Sequence, residues 1–304
     1  MIVDRPRSTR AAILVPFGIV TLIWGSTWLV IRDQIAVVPP IWSVTYRFAI
    51  AGTLMIALAL IRRERFPRDA GGLRVVAAVG LGQFCVNFNF VYQAEAHITS
   101  GLVAVVFALL LLPNALLARV ALGQRMGRQL LVGSAVAMAG VALLILNQAR
   151  ADPAGPHQTL VGVLLTGAAI LGSSVANVTQ ETRTARAYPM AATVGCAMLL
   201  GAAVDGAIAW WLAGPPVVEH RVGYFLGIGY LALFASALAF PLYYGVLRAI
   251  GPAKAAYSSV MVPVIAMLLS TLFEGYRWSP LAVAGALVTA AGLVVALRAR
   301  RPNR

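Results

Sequence analysis

The sequence predicts an all-α integral membrane protein: about ten transmembrane helices, built as two inverted five-helix repeats with both termini cytoplasmic. Three observations carry this reading. The 304 residues are 60% hydrophobic and only 11% charged, with mean hydropathy +0.84, whereas a soluble domain carries about 25% charged residues. The basic residues fall in short clusters between apolar runs. Two stretches also repeat each other without a gap, at a constant shift of 152 positions: Leu116-Leu117, Gly123-Gln124-Arg125, Gly133, Gly140 and Leu268-Leu269, Gly275-Tyr276-Arg277, Gly285, Gly292.

The apolar runs are taken in order as spans 12–31, 41–61, 74–93, 98–118, 129–147, 160–180, 190–212, 223–245, 253–273 and 280–297; a bilayer crossing needs about 20 residues at about 1.5 Å rise. The first follows Arg5, Arg7 and Arg10 as a signal peptide would. Its apolar run extends to Ile31 without a clear small-residue cleavage site, so it is read as an uncleaved span. In each repeated hairpin the glycines stand seven apart, about two helical turns, and so share a face. Gly101, Gly133, Gly172 and Gly285 are read as sites of close helix packing.

With the N-terminus cytoplasmic, that side receives 19 Lys and Arg and the other side four: Arg32, Arg150, Arg221 and Arg277. This asymmetry satisfies the positive-inside rule. The longest polar connector, Asn147 to Thr159, divides the chain into a first repeat (1–149), a periplasmic linker (150–159) and a second repeat with a basic tail (160–304). Five spans are an odd number, so the second repeat enters the membrane in the opposite sense, the arrangement of inverted-repeat transporters. A weaker echo pairs Trp24-Gly25-Ser26-Thr27 with Leu171-Gly172-Ser173-Ser174, and Pro40 with Pro189.

Trp24-Gly25-Ser26-Thr27-Trp28 in the first span, Thr99-Ser100-Gly101-Leu102 opening the fourth and the two glycine-paired hairpins together resemble the drug/metabolite transporter superfamily, in its ten-helix EamA-type branch, over essentially the whole chain. The resemblance implies a basket of helices whose first, third, fourth, sixth, eighth and ninth members line a central cavity. It also implies efflux or exchange of small metabolites, amino-acid-like compounds or drugs across the inner (plasma) membrane. The chain departs from the family where Gln124 and Tyr276 stand in place of the hairpin glutamate, and where Leu111, with Pro113 two residues on, answers Pro263.

Candidate site residues follow from what lipid makes costly. Gln83, Asn87 and Phe90 share one face of an ideal third helix, and Ser173 and Asn177 one face of the sixth. Amides in hydrocarbon need partners, so these stripes face either neighbouring helices or a substrate cavity. Trp24 and Trp28 on the first span, and Tyr230 and Phe234 on the eighth, supply aromatic walls by their i, i+4 spacing, or else plain core. Glu95 and His97, between the third and fourth spans, offer a carboxylate and an imidazole for coupling or gating; the alternative is a wetted loop end. Pro113 and Pro263 interrupt the fourth and ninth helices and allow a hinge or a static bend. Arg47 offers a carboxylate anchor, against which stands a structural partner or snorkelling.

The leading functional expectation is a secondary transporter moving a small solute by alternating access, within the lipid bilayer and with no cofactor or metal. A lipid flippase or a non-transporting membrane subunit is the alternative, and a homo-oligomer is compatible with either. An intramembrane enzyme ranks lower, because no HExxH, Gly-x-Ser-x-Gly or phosphate-binding Gly-rich loop with Lys occurs. Nucleic-acid binding is set aside despite the net charge of +14, since the basic residues punctuate spans and form no patch.

Overall fold

The computed structural model describes residues 10–124, 126–151, 156–250 and 258–298, with no strand among them. Ten long helices run through the described residues: α1 (Arg10–Gln34), α2 (Pro40–Ile61), α3 (Ala70–Glu95), α4 (Ser100–Leu122), α5 (Arg128–Ala151), α6 (Pro156–Glu181), α7 (Met190–Ala213), α8 (Val222–Arg248), α9 (Ser258–Phe273) and α10 (Pro280–Leu297). The first eight are long and apolar enough to cross a membrane; α9 and α10 are apolar but shorter, at 16 and 18 residues. Arg5, Arg7, Arg125, Lys254, Arg300, Arg301 and Arg304 of the charge tally, and Pro153 and Gly155 of the linker, lie outside the described residues.

The linker is shorter than its composition suggests. α5 continues to Ala151 and α6 starts at Pro156, so helix occupies most of residues 150–159. Pro156 opens α6 at a position where its fixed φ is pre-organised and its missing N–H costs nothing.

The repeated hairpins close with the same device. Gly123 ends α4 at φ +66° and Gly275 follows α9 at φ +68°, conformations that glycine adopts without a Cβ penalty. The next residue's N–H then folds back on a carbonyl, Gln124 on Ala118 at 3.3 Å and Tyr276 on Ser270 at 3.2 Å. Where the family has Glu, Gln124 donates to Glu181 Oε2 at 2.9 Å, and the Tyr276 hydroxyl accepts from Asn147 Nδ2 at 3.4 Å.

The seven-spaced glycines meet each other. A Cβ on Gly133 would overlap the backbone of Ala296 and Gly292, and one on Gly140 would overlap Thr289 and Gly285. The reverse contacts hold from Gly285 to Gly140 and from Gly292 to Ala137 and Gly133. Thus α5 and α10 lie antiparallel at backbone contact, each copy presenting the same surface to its mate, as in a two-fold isologous interface. Another pair of repeat mates, α2 and α7, is also antiparallel, with Gly52 against Leu199 and Gly195 against Met55 and Ile56. The lipid-facing shell is apolar, with Ile61, Leu164, Trp211, Leu272 and Leu287 all exposed; in a bilayer this is the solvated side.

Two of the helices are not uniform. α3 contains a π-helical segment, Gly80–Asn87, and its repeat mate α8 contains another, Leu233–Leu238. α4 tightens to a 3₁₀ turn at Ala108–Leu110, directly before Pro113, whose ring and missing N–H disrupt the preceding turn. α3 begins at a capped end: Asp69 Oδ1 accepts from Gly72 N–H at 2.9 Å while Oδ2 accepts from the Tyr188 hydroxyl at 2.5 Å. These two bonds, that to Tyr188 foremost, hold the Asp69 carboxyl below its ordinary value of 3.8.

Two predictions follow from this packing and this cap. Gly140→Val drives a side chain into the α10 backbone and lowers stability by about 3 kcal/mol, whereas Gly167→Ala, in open space, gains about 0.5–1 kcal/mol; thermal unfolding of the detergent-purified variants reads both. Because the folded-state pKa of Asp69 is depressed, its contribution is present above the unfolded value and lost as pH falls through the folded one. Asp69→Asn therefore flattens the acid limb of the stability profile below about pH 3.8 and leaves neutral pH little changed.

Candidate functional site

A cavity of about 110 Å³, taken as the space open to water centres, lies in the middle of the bundle. Its walls come from α1 (Trp24, Thr27, Trp28), α3 (Gln83, Asn87, Phe88), α4 (Phe107, Asn114), α6 (Ser173, Asn177), α8 (Phe240, Tyr243) and α9 (Val262, Pro263). These are the six helices the resemblance implies. α2 adds a seventh contributor, Arg47.

The aromatic wall is built on α1. Trp24 packs on Phe240 and Tyr243, with ring centroids 5.3 and 4.9 Å apart, and Trp28 on Phe107 at 5.8 Å. The Trp24 indole N–H donates to the Ala235 carbonyl at 3.2 Å. Ala235 lies in the π-helical segment of α8, where the wider turn loosens the usual i→i−4 pairing.

The polar wall is incompletely satisfied. Ser173 Oγ donates to Gln83 Oε1 at 3.0 Å, tying α6 to α3 where Gly82 and Gly172 bring the two backbones together. By contrast, Asn87 Oδ1, Asn114 Oδ1, both amide atoms of Asn177 and Trp28 Nε1 are buried with no hydrogen-bond partner among the described residues. Buried polar groups are paired in the great majority of cases, and an unpaired one costs about 1–3 kcal/mol. Five such atoms around one hollow mark a surface shaped for a polar guest or for water.

Of the residues expected from sequence, Trp24, Trp28, Gln83, Asn87, Ser173, Asn177 and Pro263 line the cavity. Phe90 does not. The π-helical segment adds residues to its turns, so the lining runs Gln83, Asn87, Phe88, Val91, and Phe90 is turned into packing beside the core. Tyr230 and Phe234 are displaced for the same reason. Beyond the π-helical segment the inward face of α8 passes to Phe240 and Tyr243, while Tyr230 shares a 2.7 Å hydrogen bond with Ser26 and Phe234 is exposed on the outer surface. Pro113 does not line the cavity; its neighbour Asn114 does.

Glu95 and His97 also lie away from the cavity lining. His97 Nδ1 and Gln158 Oε1 are 2.5 Å apart, joining the α3–α4 connection to α6. Glu95 is fully buried, and neither carboxylate oxygen has a partner among the described residues, which excludes the wetted loop end. Close by in the fold, Glu274 accepts from Ser100 Oγ on α4 and, at 2.5 Å, from Ser270 Oγ on α9. These bonds and the seat of Gly101 against Met267 and Ser270 clamp α4 to α9 at that end.

Arg47 is the lining residue whose weight the sequence concealed. It is 1% exposed. Its Nε donates to Ser236 Oγ at 2.9 Å and its Nη1 to the Tyr92 hydroxyl at 3.4 Å, with the guanidinium carbon 4.3 Å from the Phe88 ring centroid. Ser236 stands in the π-helical segment of α8 and donates in turn to the Leu231 carbonyl at 2.8 Å.

If the unpaired amides serve a guest, their removal separates stability from activity. Asn177→Leu is expected to match or exceed the parent in thermal stability, since an apolar residue there no longer buries an unpaired amide. Its solute flux is expected to fall about tenfold or more, measured in the same preparation. A loss of stability equal to the loss of flux would assign Asn177 a packing role.

The model of the EamA-like transporter family matches this chain twice, over residues 12–146 and 160–298. The chain is 31% identical over 260 residues to the uncharacterized inner membrane transporter YedA of Escherichia coli strain K12, covering 84% of this chain and 80% of YedA. It is 23% identical to the protein PagO of Salmonella typhimurium, covering 89% of this chain and 88% of PagO. To a probable terminal-alkyne amino-acid exporter of Streptantibioticus cattleyicolor it is 28% identical, over 77% of this chain and 75% of that protein. A solved crystal structure with 22% identity shares the fold, at a TM-score of 0.70 over 95% of this chain and 97% of that one.

Proposed function

Starting from the fact that this chain belongs to the EamA-like transporter family, we propose that it is a secondary exporter or exchanger that binds one small solute in the central cavity and releases it by alternating access. It is a multi-pass inner-membrane transporter and not an enzyme. The observation that carries the mechanistic reading is the cavity itself, lined by both halves of the chain and ringed by amide atoms without partners.

The halves are taken as residues 1–149 and 160–304, with the first and last residues on the cytoplasmic side, where the basic loops gather. Rocking of one half against the other about a fixed midplane site moves access from one face to the other. The antiparallel α5–α10 and α2–α7 contacts are the surfaces about which such rocking turns. The α4–α9 clamp through Ser100, Glu274, Ser270 and Gly101 closes the face opposite the basic loops, and Pro263 in the cavity wall supplies the bend that lets α9 part from α4. The lipid-flippase alternative fits less well, because the hollow is small and its polar atoms are enclosed.

Glu95 is the coupling residue in this reading. An isolated buried carboxylate costs least when it holds a proton, and the charges acting on it are Glu274, Arg32 and Arg47. Parting of α4 from α9 would wet it and release that proton.

Solute flux in proteoliposomes, with and without a pH gradient, tests both parts. A panel of amino acids, organic anions and cationic drugs is expected to yield at least one saturable substrate whose flux rises several-fold with the gradient. Glu95→Gln is expected to keep binding and lose the gradient response. Absence of flux for every solute under both conditions sinks the transporter reading; an unchanged gradient response in Glu95→Gln sinks only the coupling assignment.

A further inference from the structure

Arg47 carries a consequence that reaches the identity of the solute. A guanidinium has five N–H donors, of which Arg47 commits two, both to neutral hydroxyls. The aromatic face of Phe88 covers the ring-like plane but does not neutralise the charge. Among the described residues the ion pairs are those of Arg221 with Asp33 and Glu219, and none involves Arg47. A buried cation without a counter-ion is costly in a low-dielectric interior, and a planar donor fork is suited to a carboxylate. Its three uncommitted N–H donors belong to a residue that lines the cavity.

We propose that Arg47 is the anion anchor of the cavity and that the transported solute is a small monocarboxylate. This rests on the transporter reading above and deepens it. Charge count favours a monoanion over a phosphate dianion, because Arg47 is the single cation among the lining residues. Trp24, Phe88, Phe107 and Phe240 accept an apolar or aromatic body beside it. The unpartnered oxygens of Asn87, Asn114 and Asn177 accept from a donor group on the same solute, such as an ammonium. The solute thus supplies the counter-ion and the donors that the empty fold lacks, so binding relieves costs already present in the folded chain.

The test uses the full-length protein in proteoliposomes and solutes that share a body but differ in charged groups. Phenylalanine carries both groups, 3-phenylpropionate only the carboxylate and phenethylamine only the amine; leucine, isocaproate and isoamylamine repeat the comparison on a smaller body. Saturable flux is expected for members bearing the carboxylate and to fall about tenfold or more without it, the scale of losing hydrogen bonds to a charged group. Arg47→Gln is expected to abolish that preference and Arg47→Lys to retain part of it, with unchanged elution from size exclusion. Should Arg47→Gln not fold, the matched solutes on the unmodified protein still decide whether a carboxylate is required.

Flux of amines or neutral solutes equal to that of their carboxylate partners would overturn the anchor while leaving the transporter reading intact. So would a carboxylate preference that persists undiminished in a folded Arg47→Gln. Flux for the wider panel of solutes but for neither carboxylate series would likewise count against the anchor. Absence of flux for everything tested overturns both.

Discussion

The fold hangs on backbone-to-backbone contact between mates of the internal repeat. Gly133 and Gly140 on α5 lie against Gly292, Gly285 and their neighbours on α10, so closely that a single Cβ would overlap main-chain atoms. In hydrocarbon there is no hydrophobic gain from bringing two apolar helices together, and close packing of small residues takes its place. The contact is made twice by the same surface because the two copies run in opposite directions, and α2 with α7 packs antiparallel as well. The other six helices are left to surround a space that neither half encloses alone.

That space is polar where the surroundings are apolar. The exterior of the bundle carries leucine, isoleucine and tryptophan toward lipid, while the interior holds Arg47, Gln83, Asn87, Asn114 and Asn177 at the centre. Some of these find partners, as Gln83 does in Ser173, and those ties fix helices to one another. Others are left unpaired. Partial satisfaction is costly for a fold but suits a protein that must accept and then release a guest, since a fully satisfied network gains nothing from binding and an apolar one offers no specificity.

The two π-helical segments refine that picture. They fall in repeat mates, Gly80–Asn87 in α3 and Leu233–Leu238 in α8. Each re-aims the side chains beyond it by changing the number of residues per turn, and the segment in α8 also presents Ala235 and Ser236 to Trp24 and Arg47. One irregularity therefore sets both the aromatic wall and the seat of the buried cation.

Much was legible from the chain alone. Hydropathy, the spacing of glycines and the distribution of basic residues determined the class, the ten helices, their duplication and the close-packed faces, because lipid imposes a one-dimensional code: a span must be apolar, its ends charged, its contacts small. The polar stripe of α6 and the paired tryptophans of α1 obeyed ideal helical periodicity and faced where that periodicity said. Phe90, Tyr230 and Phe234 did not, since a π-helical segment depends on hydrogen bonds with no local signature and shifts the phase of everything after it. The standing of Arg47 was equally hidden. An arginine in a span reads as snorkelling, as an ion pair or as a binding group, and only the packing of α2 against α3 and α8 decided among them, by enclosing it beside the cavity with hydroxyl partners and no carboxylate.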